Sequence, residues 1–350
     1  MNGMMKAAVF KGIEHIEIES REIPQCPEGG LLVKVVSCGI CGGDIRNYHS
    51  GLRNGMTGQI MGHEIAGEVV ETADGVDRYA AGDRVALAPD VSCGECYYCR
   101  RGMVNLCDRH RMLGTHFPGG FAQYIAIPKI VLERGFVEQI PDDMSYDHAA
   151  FAEPVSGVVA CQKYNHISYG DTVVVIGDGP VGCLHMEVAR ARGAFQTVML
   201  ARGRIEQARK FGFEHLILNK DPKEATAKVK ELTGPGADVV ICAVPNAAAQ
   251  QQALELVKKR GRVIIYGGLP KHSPMTTLDS NKIHYNEIMI LGAFSYSAVG
   301  LEDAIRTIHT GKVSTDRYLS AKVPLEKLVE GMQMVERGEA LKVLVDPWAS

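Results

Sequence analysis

The chain has 350 residues, enough for two hydrophobic cores, and its 46% hydrophobic and 23% charged content is that of an ordered globular protein, not a disordered one. Lys plus Arg number 38 against 41 Asp plus Glu, so the net charge of -3 offers no broad attraction for nucleic acid or an anionic membrane. No apolar run reaches bilayer length, and the opening MNGMMKAAVFKG leads directly into strand-like sequence, which predicts a cytoplasmic chain without signal peptide or membrane span.

Up to residue 141, strand-sized segments at 6–10, 13–18, 31–38, 68–72, 84–87 and 122–127 alternate with Gly and Pro turns, which predicts an antiparallel, partly barrel-like domain without long helices. Its long loops hold nearly all the candidate ligands. A helical stretch at 147–164 is interrupted by Glu153 and Pro154, which mark a kink or a helix start and a domain boundary near 153–165.

Residues 171–292 then alternate regularly. Strands are expected at 172–176, 197–200, 215–218, 239–243, 263–267 and 288–294, with helices at 181–192, 204–212, 224–233 and 247–259. That order predicts a parallel sheet with helices on both faces. The longer polar connection at 268–287 can border a ligand crevice. The last elements, a helix at 300–310, a strand at 321–323, a helix at 324–337 and a segment at 340–346, have no sheet of their own and are expected to return to the first domain. The expected division is therefore 1–153 with 293–350, and 154–292.

The stretch DTVVVIGDGPVGCLHMEVARAR carries the strongest local signal: a β-branched run, then Gly177, Gly179 and Gly182 spaced G-x-G-x-x-G, then a helix. The first glycine permits the turn, the second lets backbone approach a pyrophosphate, and the third lets the helix lie on the sheet. Gly177, Asp178, Gly179, Pro180, Val181 and Gly182 are thus the expected dinucleotide loop, with orphan helix amides facing the anion.

Of ten cysteines, Cys93, Cys96, Cys99 and Cys107 are spaced C-x2-C-x2-C-x7-C. Four thiolates so close fit a closed tetrahedral zinc of structural purpose, available in a reducing compartment. An iron-sulfur cluster is disfavoured because the usual following Cys-Pro is absent. Cys41 in CGGD, His63 and Glu64 in GHE, and Glu153 in FAEP form a second constellation beside glycines or proline, with the mixed donors of an open, catalytic zinc. Cys26, Cys38, Cys161, Cys183 and Cys242 lack paired ligands and read as ordinary interior residues.

GHEIAGEVVETADGV at 62–76, GDRV at 82–85, CGGD at 41–44, the four-cysteine loop, GGFAQY at 119–124, AEP at 152–154 and IGDGPVG at 176–182 span essentially the whole chain. Together they resemble the zinc-containing medium-chain dehydrogenase/reductase family. Glu64 and Glu153, in place of a third catalytic cysteine, are similar to the polyol (sorbitol-like) and threonine dehydrogenase branches. GLPK at 268–271 and DSNKIHYNE at 279–287 resemble sugar-alcohol and sugar-alcohol-phosphate members.

The resemblance implies an α/β fold, a Rossmann doubly wound parallel sheet joined to a GroES-like catalytic domain, in dimers or tetramers. It implies Cys41 and His63 as catalytic zinc ligands, with Glu64 or Glu153 as the carboxylate, Asp44 supporting the site, and the other four cysteines on a structural zinc. The implied reaction is hydride transfer between a secondary alcohol of a polyol or sugar alcohol, phosphorylated or not, and a nicotinamide cofactor, giving the ketone. An L-threonine-type amino alcohol or an amino-cyclitol is the rival substrate, and a non-catalytic zinc and nucleotide-binding protein the rival class.

Two departures stand out. Gly43 occupies the position where many relatives carry Ser or Thr, so Tyr48, His49, Glu153 or water is left for proton exit. No Asp or Glu follows the second strand of the alternating region before Glu206, whereas Arg202 and Arg204 are present. Missing negative charge and available guanidinium groups favour NADP over NAD. A substrate phosphate would call on Arg46, Arg53, Lys271 or Lys282.

Overall fold

The computed structural model describes residues 3–52, 55–296 and 298–350. They form two compact units: Met1–Ser156 with Tyr296–Gly311 and Tyr318–Ser350, and Gly157–Ser295 with Lys312–Arg317. Arg53 lies outside the described residues.

The first unit opens with β1 (Met4–Gly12), β2 (His15–Glu22), β3 (Leu31–Gly39), α1 (Gly42–Ser50), β4 (Gln59–Ile60), β5 (Glu64–Thr72) and β6 (Arg84–Ala88). It continues through β7 (Asp90–Val91), β8 (Arg111–Met112), β9 (Tyr124–Ile127), α2 (Lys129–Arg134), β10 (Phe136–Gln139), α3 (Tyr146–Ala150) and the start of α4 (Ala152–Tyr164), whose residues from Gly157 on belong to the second unit. In the second unit β11 (Thr172–Ile176), α5 (Pro180–Ala191), β12 (Gln196–Ala201), α6 (Ile205–Arg209), β13 (His215–Leu218) and α7 (Pro222–Thr233) come first. They are followed by β14 (Ala237–Cys242), α8 (Ala247–Leu256), β15 (Val257–Ile265), α9 (Ser280–Tyr285) and β16 (Met289–Gly292). The chain then returns with α10 (Gly300–His309), β17 (Leu319–Pro324), α11 (Leu328–Glu336) and β18 (Lys342–Asp346).

The first unit holds a mainly antiparallel sheet ordered β10-β6-β5-β3-β18-β17, with β9 also on β3, and a smaller sheet ordered β2-β1-β4. The larger sheet's middle strand is apolar on both faces: Leu31, Leu32, Val33 and Val35 are all fully buried, each burial stabilising by roughly 1.5–3 kcal/mol. The late strand β18 pairs antiparallel with β3 at Leu344↔Gly39 and Val345↔Cys38, so residues some 300 apart share one sheet. β7 and β8 pair at the neck of the four-cysteine loop.

The second unit holds a parallel sheet ordered β13-β12-β11-β14-β15-β16, the dinucleotide-binding order. Val173, Val174 and Val175 of β11 are buried because neighbouring strands and helices on both faces cover them. Its helices begin where the sequence offers caps. Asp221 accepts from Lys223 N at 2.8 Å before α7, and Asn246 from Ala249 N at 3.0 Å before α8, each worth ~1 kcal/mol.

Several boundaries differ from the sequence expectation. The stretch 147–164 is two helices, α3 capped by Ser145 and α4 from Ala152, with Pro154 in the first turn, where its missing N–H costs nothing. The helix expected to reach 259 stops at Leu256, because Val257 pairs with Ala237 at the start of β15. The helix expected over 204–212 is only Ile205–Arg209. The first unit contains α1 and α2, which glycines and a proline had hidden.

Candidate functional site

Cys41 follows β3 and starts α1. Its backbone is extended (φ -100°, ψ 151°), and its Sγ accepts from Gly43 N at 3.4 Å while Asp44 Oδ2 accepts from Cys41 N at 3.0 Å. This reciprocal cap fixes the direction of the thiol. Asp44 is 1% exposed, and its other oxygen accepts from Gly62 N at 3.3 Å and lies 3.2 Å from His63 Nδ1. With Nδ1 donating there, Nε2 is the nitrogen left to coordinate. Burial works against His63 carrying a proton, but the charges of Asp44 and Cys41 prevail and hold its pKa well above the ordinary value.

Glu64 begins β5 and is fully buried. Both its oxygens lie 2.7 Å from Lys342 Nζ, which also donates to Ile40 O at 3.0 Å. Lys342 comes from β18 and is 4% exposed; burial opposes its charge, and Glu64 restores it. Gly39 makes room, since a Cβ there would stand 1.9 Å from Glu64 Oε2. One donor atom each from Cys41, His63 and Glu64 lies within 4.8 Å of the others, a set that fits a zinc ion by donor type and by convergence.

Glu153, in the first turn of α4, is outside that trio. Burial pushes its carboxyl up to about 8; His63 opposes the rise, and Glu64 and Asp90 add to it. Tyr296, buried, has its phenol raised first by burial and then by Asp90 and Glu153. A Cβ on Gly43 would meet His63 Cε1 at 3.6 Å, Cys41 Sγ at 3.7 Å and Arg46 Nη2 at 3.7 Å, so Arg46 stands beside the donor set.

Tyr48 and His49 lie at the other end of α1. Tyr48 Oη donates to Glu14 O at 3.0 Å; His49 Nδ1 and Nε2 lie 2.8 Å from Glu14 and Glu336 carboxylates. The structure does not bring these two to the donor trio. Lys282 donates to Glu255 at 2.6 Å, and Lys271 is exposed.

The four loop cysteines converge as their spacing requires: all sulfurs lie within 4.8 Å of one another, with Cys93 to Cys99 at 3.9 Å. A zinc with bonds of 2.3 Å spaces tetrahedral sulfurs by about 3.8 Å, so this set also fits. Backbone amides of Cys93, Cys96, Cys99 and Arg109 donate to the sulfurs at 3.2–3.4 Å. Such bonds, chiefly from Glu95, lower the Cys93 thiol to about 6, while burial pushes Cys107 up to about 12.

In the second unit Gly177 has φ 128° and its N donates to Leu200 O at 3.0 Å. Gly182 is obligatory, because a Cβ there would lie 2.0 Å from Gly177 O. Gly179 caps α5 without a side-chain acceptor and Pro180 follows, so the first-turn amides remain for an anion. Asp178, 7% exposed, accepts through Oδ2 from Arg202 N and Gly203 N at 2.9 Å and from Arg204 N. β12 ends at Ala201, with no acidic side chain before α6 begins at Ile205. Val181 is half-buried in the first turn of α5.

Sequence reasoning missed Lys342 and Tyr296. The available signal for Lys342 was a lone cation inside ALKVLVD, a strand whose other members before Asp346 are buried.

Comparison with known proteins gives a consistent result. Residues 27–142 match the alcohol dehydrogenase GroES-like domain, and residues 180–310 match the zinc-binding dehydrogenase domain. The chain is 35% identical to a sorbitol dehydrogenase of Bacillus subtilis (strain 168), over 98% of this chain and 97% of the relative. It is 30% identical to D-arabitol-phosphate dehydrogenase of Enterococcus avium, over 99% and 97%. A zinc-binding dehydrogenase of Sinorhizobium meliloti 1021, solved bound to NADP, superposes with a TM-score of 0.89 at 31% identity, covering 99% of this chain and all of that one.

Proposed function

Because the chain belongs to the zinc-binding medium-chain dehydrogenase/reductase family, we propose that it interconverts a secondary alcohol of a polyol or sugar alcohol with the ketone, using a nicotinamide nucleotide. The observation that carries this is the convergence of Cys41, His63 and Glu64, with Asp44 aiming two of the three.

A zinc ion among these donors would make the substrate hydroxyl more acidic, and a nicotinamide would accept the carbon-bound hydrogen as hydride. The chain's own residues do the rest. Asp44 keeps the His63 ring in one tautomer and orientation. Lys342 compensates Glu64, so the donor set keeps its carboxylate without an unpaired charge in the core. Of the two carboxylates we assign Glu64 to the donor set, and Glu153, outside the trio but within its electrostatic reach, to the substrate proton. Gly43 supplies no hydroxyl, so a serine-type relay plays no part. The four-cysteine loop is assigned a structural zinc.

Arg46, exposed beside Gly43 and without an ion-pair partner among the described residues, favours a phosphorylated polyol as a second reading. NADP is favoured over NAD by Arg202 and Arg204 and by the absence of an acid after β12. A dimer or tetramer and a cytoplasmic location belong to the same proposal, testable by light scattering and fractionation. Among the described residues no helix is long and apolar enough to cross a membrane.

Hydride transfer from free polyols, phosphorylated polyols and L-threonine, each with NAD and NADP, is the test. Turnover of a polyol is expected. A panel silent for polyols but active with L-threonine overturns the substrate class, and R46A turning over phosphorylated and free polyols with unchanged preference overturns the second reading.

A further inference from the structure

We propose that Asp178 is a positioning residue for nucleotide choice: it clamps residues 202–204 so that Arg204 lies back across the phosphate loop, where it reads a 2′-phosphate. The inference rests on the reading that a nicotinamide nucleotide binds at Gly177–Gly182.

In a sheet of this order the ribose 2′ position is read at the end of the second strand, here β12. The strand ends at Ala201, which offers neither a carboxylate to a 2′-hydroxyl nor repulsion to a phosphate. Three successive amides, of Arg202, Gly203 and Arg204, converge there. Such a run of N–H groups is itself an anion site. In this chain it is already filled by Oδ2 of Asp178, a buried carboxylate. The main chain is therefore spent on an internal anion, and discrimination of an external one passes to the guanidinium groups.

The clamp also sets where those groups point. Arg204 Nη1 lies 3.9 Å from the place a Cβ on Gly179 would occupy, so its side chain runs from the end of β12 back to the loop that starts α5. Arg202 stays exposed beside it. The following helix α6 has five residues and no side-chain cap at Arg204, so it is a weak anchor for this turn. Hydrogen bonds to an ionised acceptor are the strong kind, and all three end on one oxygen. Removing that oxygen frees three amides and releases Arg204 from its bearing.

The test uses the zinc-loaded enzyme and equilibrium binding of NADPH and NADH, followed by nucleotide fluorescence. Wild type, D178A, D178N, R204A and D178A/R204A are compared, with melting curves to establish folding. D178A is expected to weaken NADPH by about tenfold or more while NADH changes less than about threefold. D178N, which keeps a neutral acceptor of the same shape, recovers part of the loss. The double variant binds NADPH no more weakly than R204A alone, since the clamp acts through that arginine. If D178A does not fold, an NADPH-specific loss in D178N supports the clamp and an unselective one refutes it.

Equal weakening of both nucleotides overturns the inference in favour of a purely structural role. Specific loss of NADH overturns it in favour of a carboxylate that reads the ribose. Additive losses in the double variant, or unchanged selectivity in D178A and D178N, also refute it. A wild type that binds NADH more tightly refutes the NADP reading first, and this inference with it.

Discussion

The two donor clusters are built in opposite ways. The four-cysteine set comes from fifteen consecutive residues, and its geometry is local: tight turns and amides of the same loop point at the sulfurs. The Cys41–His63–Glu64 set is assembled from the end of β3, the start of β5 and, through Lys342, the strand β18 at a separation of 278 residues from Glu64. A local cluster can be closed by turns alone and suits a structural ion. An assembled cluster exists only when the sheet is complete, so its geometry is as rigid as the core that carries it.

The contrast can be broken most severely at the assembled end. Cys41→Ser is expected to remove one of two zincs per chain and lower turnover on the order of 10³-fold, ~4 kcal/mol in activation free energy, with nucleotide binding kept. Metal analysis with kinetics decides it, and full activity would remove Cys41 from the site. Lys342→Met leaves Glu64 buried without its cation and should cost about 3–5 kcal/mol in urea unfolding. A variant as stable as wild type would show that the carboxylate is compensated some other way.

Cys99→Ser probes the local cluster: melting should fall and one zinc be lost while the Cys41 site keeps its metal and catalysis below the melting range. Two zincs and unchanged melting would refute the structural role. The smallest effect concerns His49, held between Glu14 and Glu336. The hydrogen bond to Glu14 raises its pKa first; burial opposes that, and Glu336 adds to it. A raised folded value means the latch contributes fully below the ordinary histidine pKa of about 6.5 and fades as pH climbs through the raised one. His49→Gln should therefore flatten the decline in melting temperature above about pH 6.5, and identical profiles would dismiss the latch.

What could be read in the sequence follows the same division. The cysteine spacing, the glycine turn and the strand-helix alternation are local patterns; the first two meet their expected positions, and the alternation gives the order of the strands and main helices, with bounds that shift at α6, α8 and β15 and without α9. Cys41, His63 and Glu64 were legible only through short motifs, because nothing in spacing says that residues 41 and 63 meet. Lys342 showed only as a lone cation in an apolar strand, and its partner was out of reach, being chosen by β18 pairing with β3. The helix α1 was hidden because it opens with Gly42 and Gly43, poor helix formers, and is held by a cysteine cap and Asp44 instead. At the other extreme, LVKK after residue 255 has helical propensity, yet the approach of Gly236 to the Leu256 carbonyl draws Val257 into the sheet. Propensity yields there to strand pairing.

The pairing of Glu64 with Lys342 also orders events during protein synthesis. At about 5–20 residues per second the carboxylate emerges roughly 15–55 s before the ammonium that neutralises it. Throughout that interval Glu64 must stay hydrated, and β3 lacks β18 at its edge. The first unit, although begun first, therefore closes only after residues 157–295 have been made, and a protease applied to stalled chains should find the second unit resistant while the first is still cleaved.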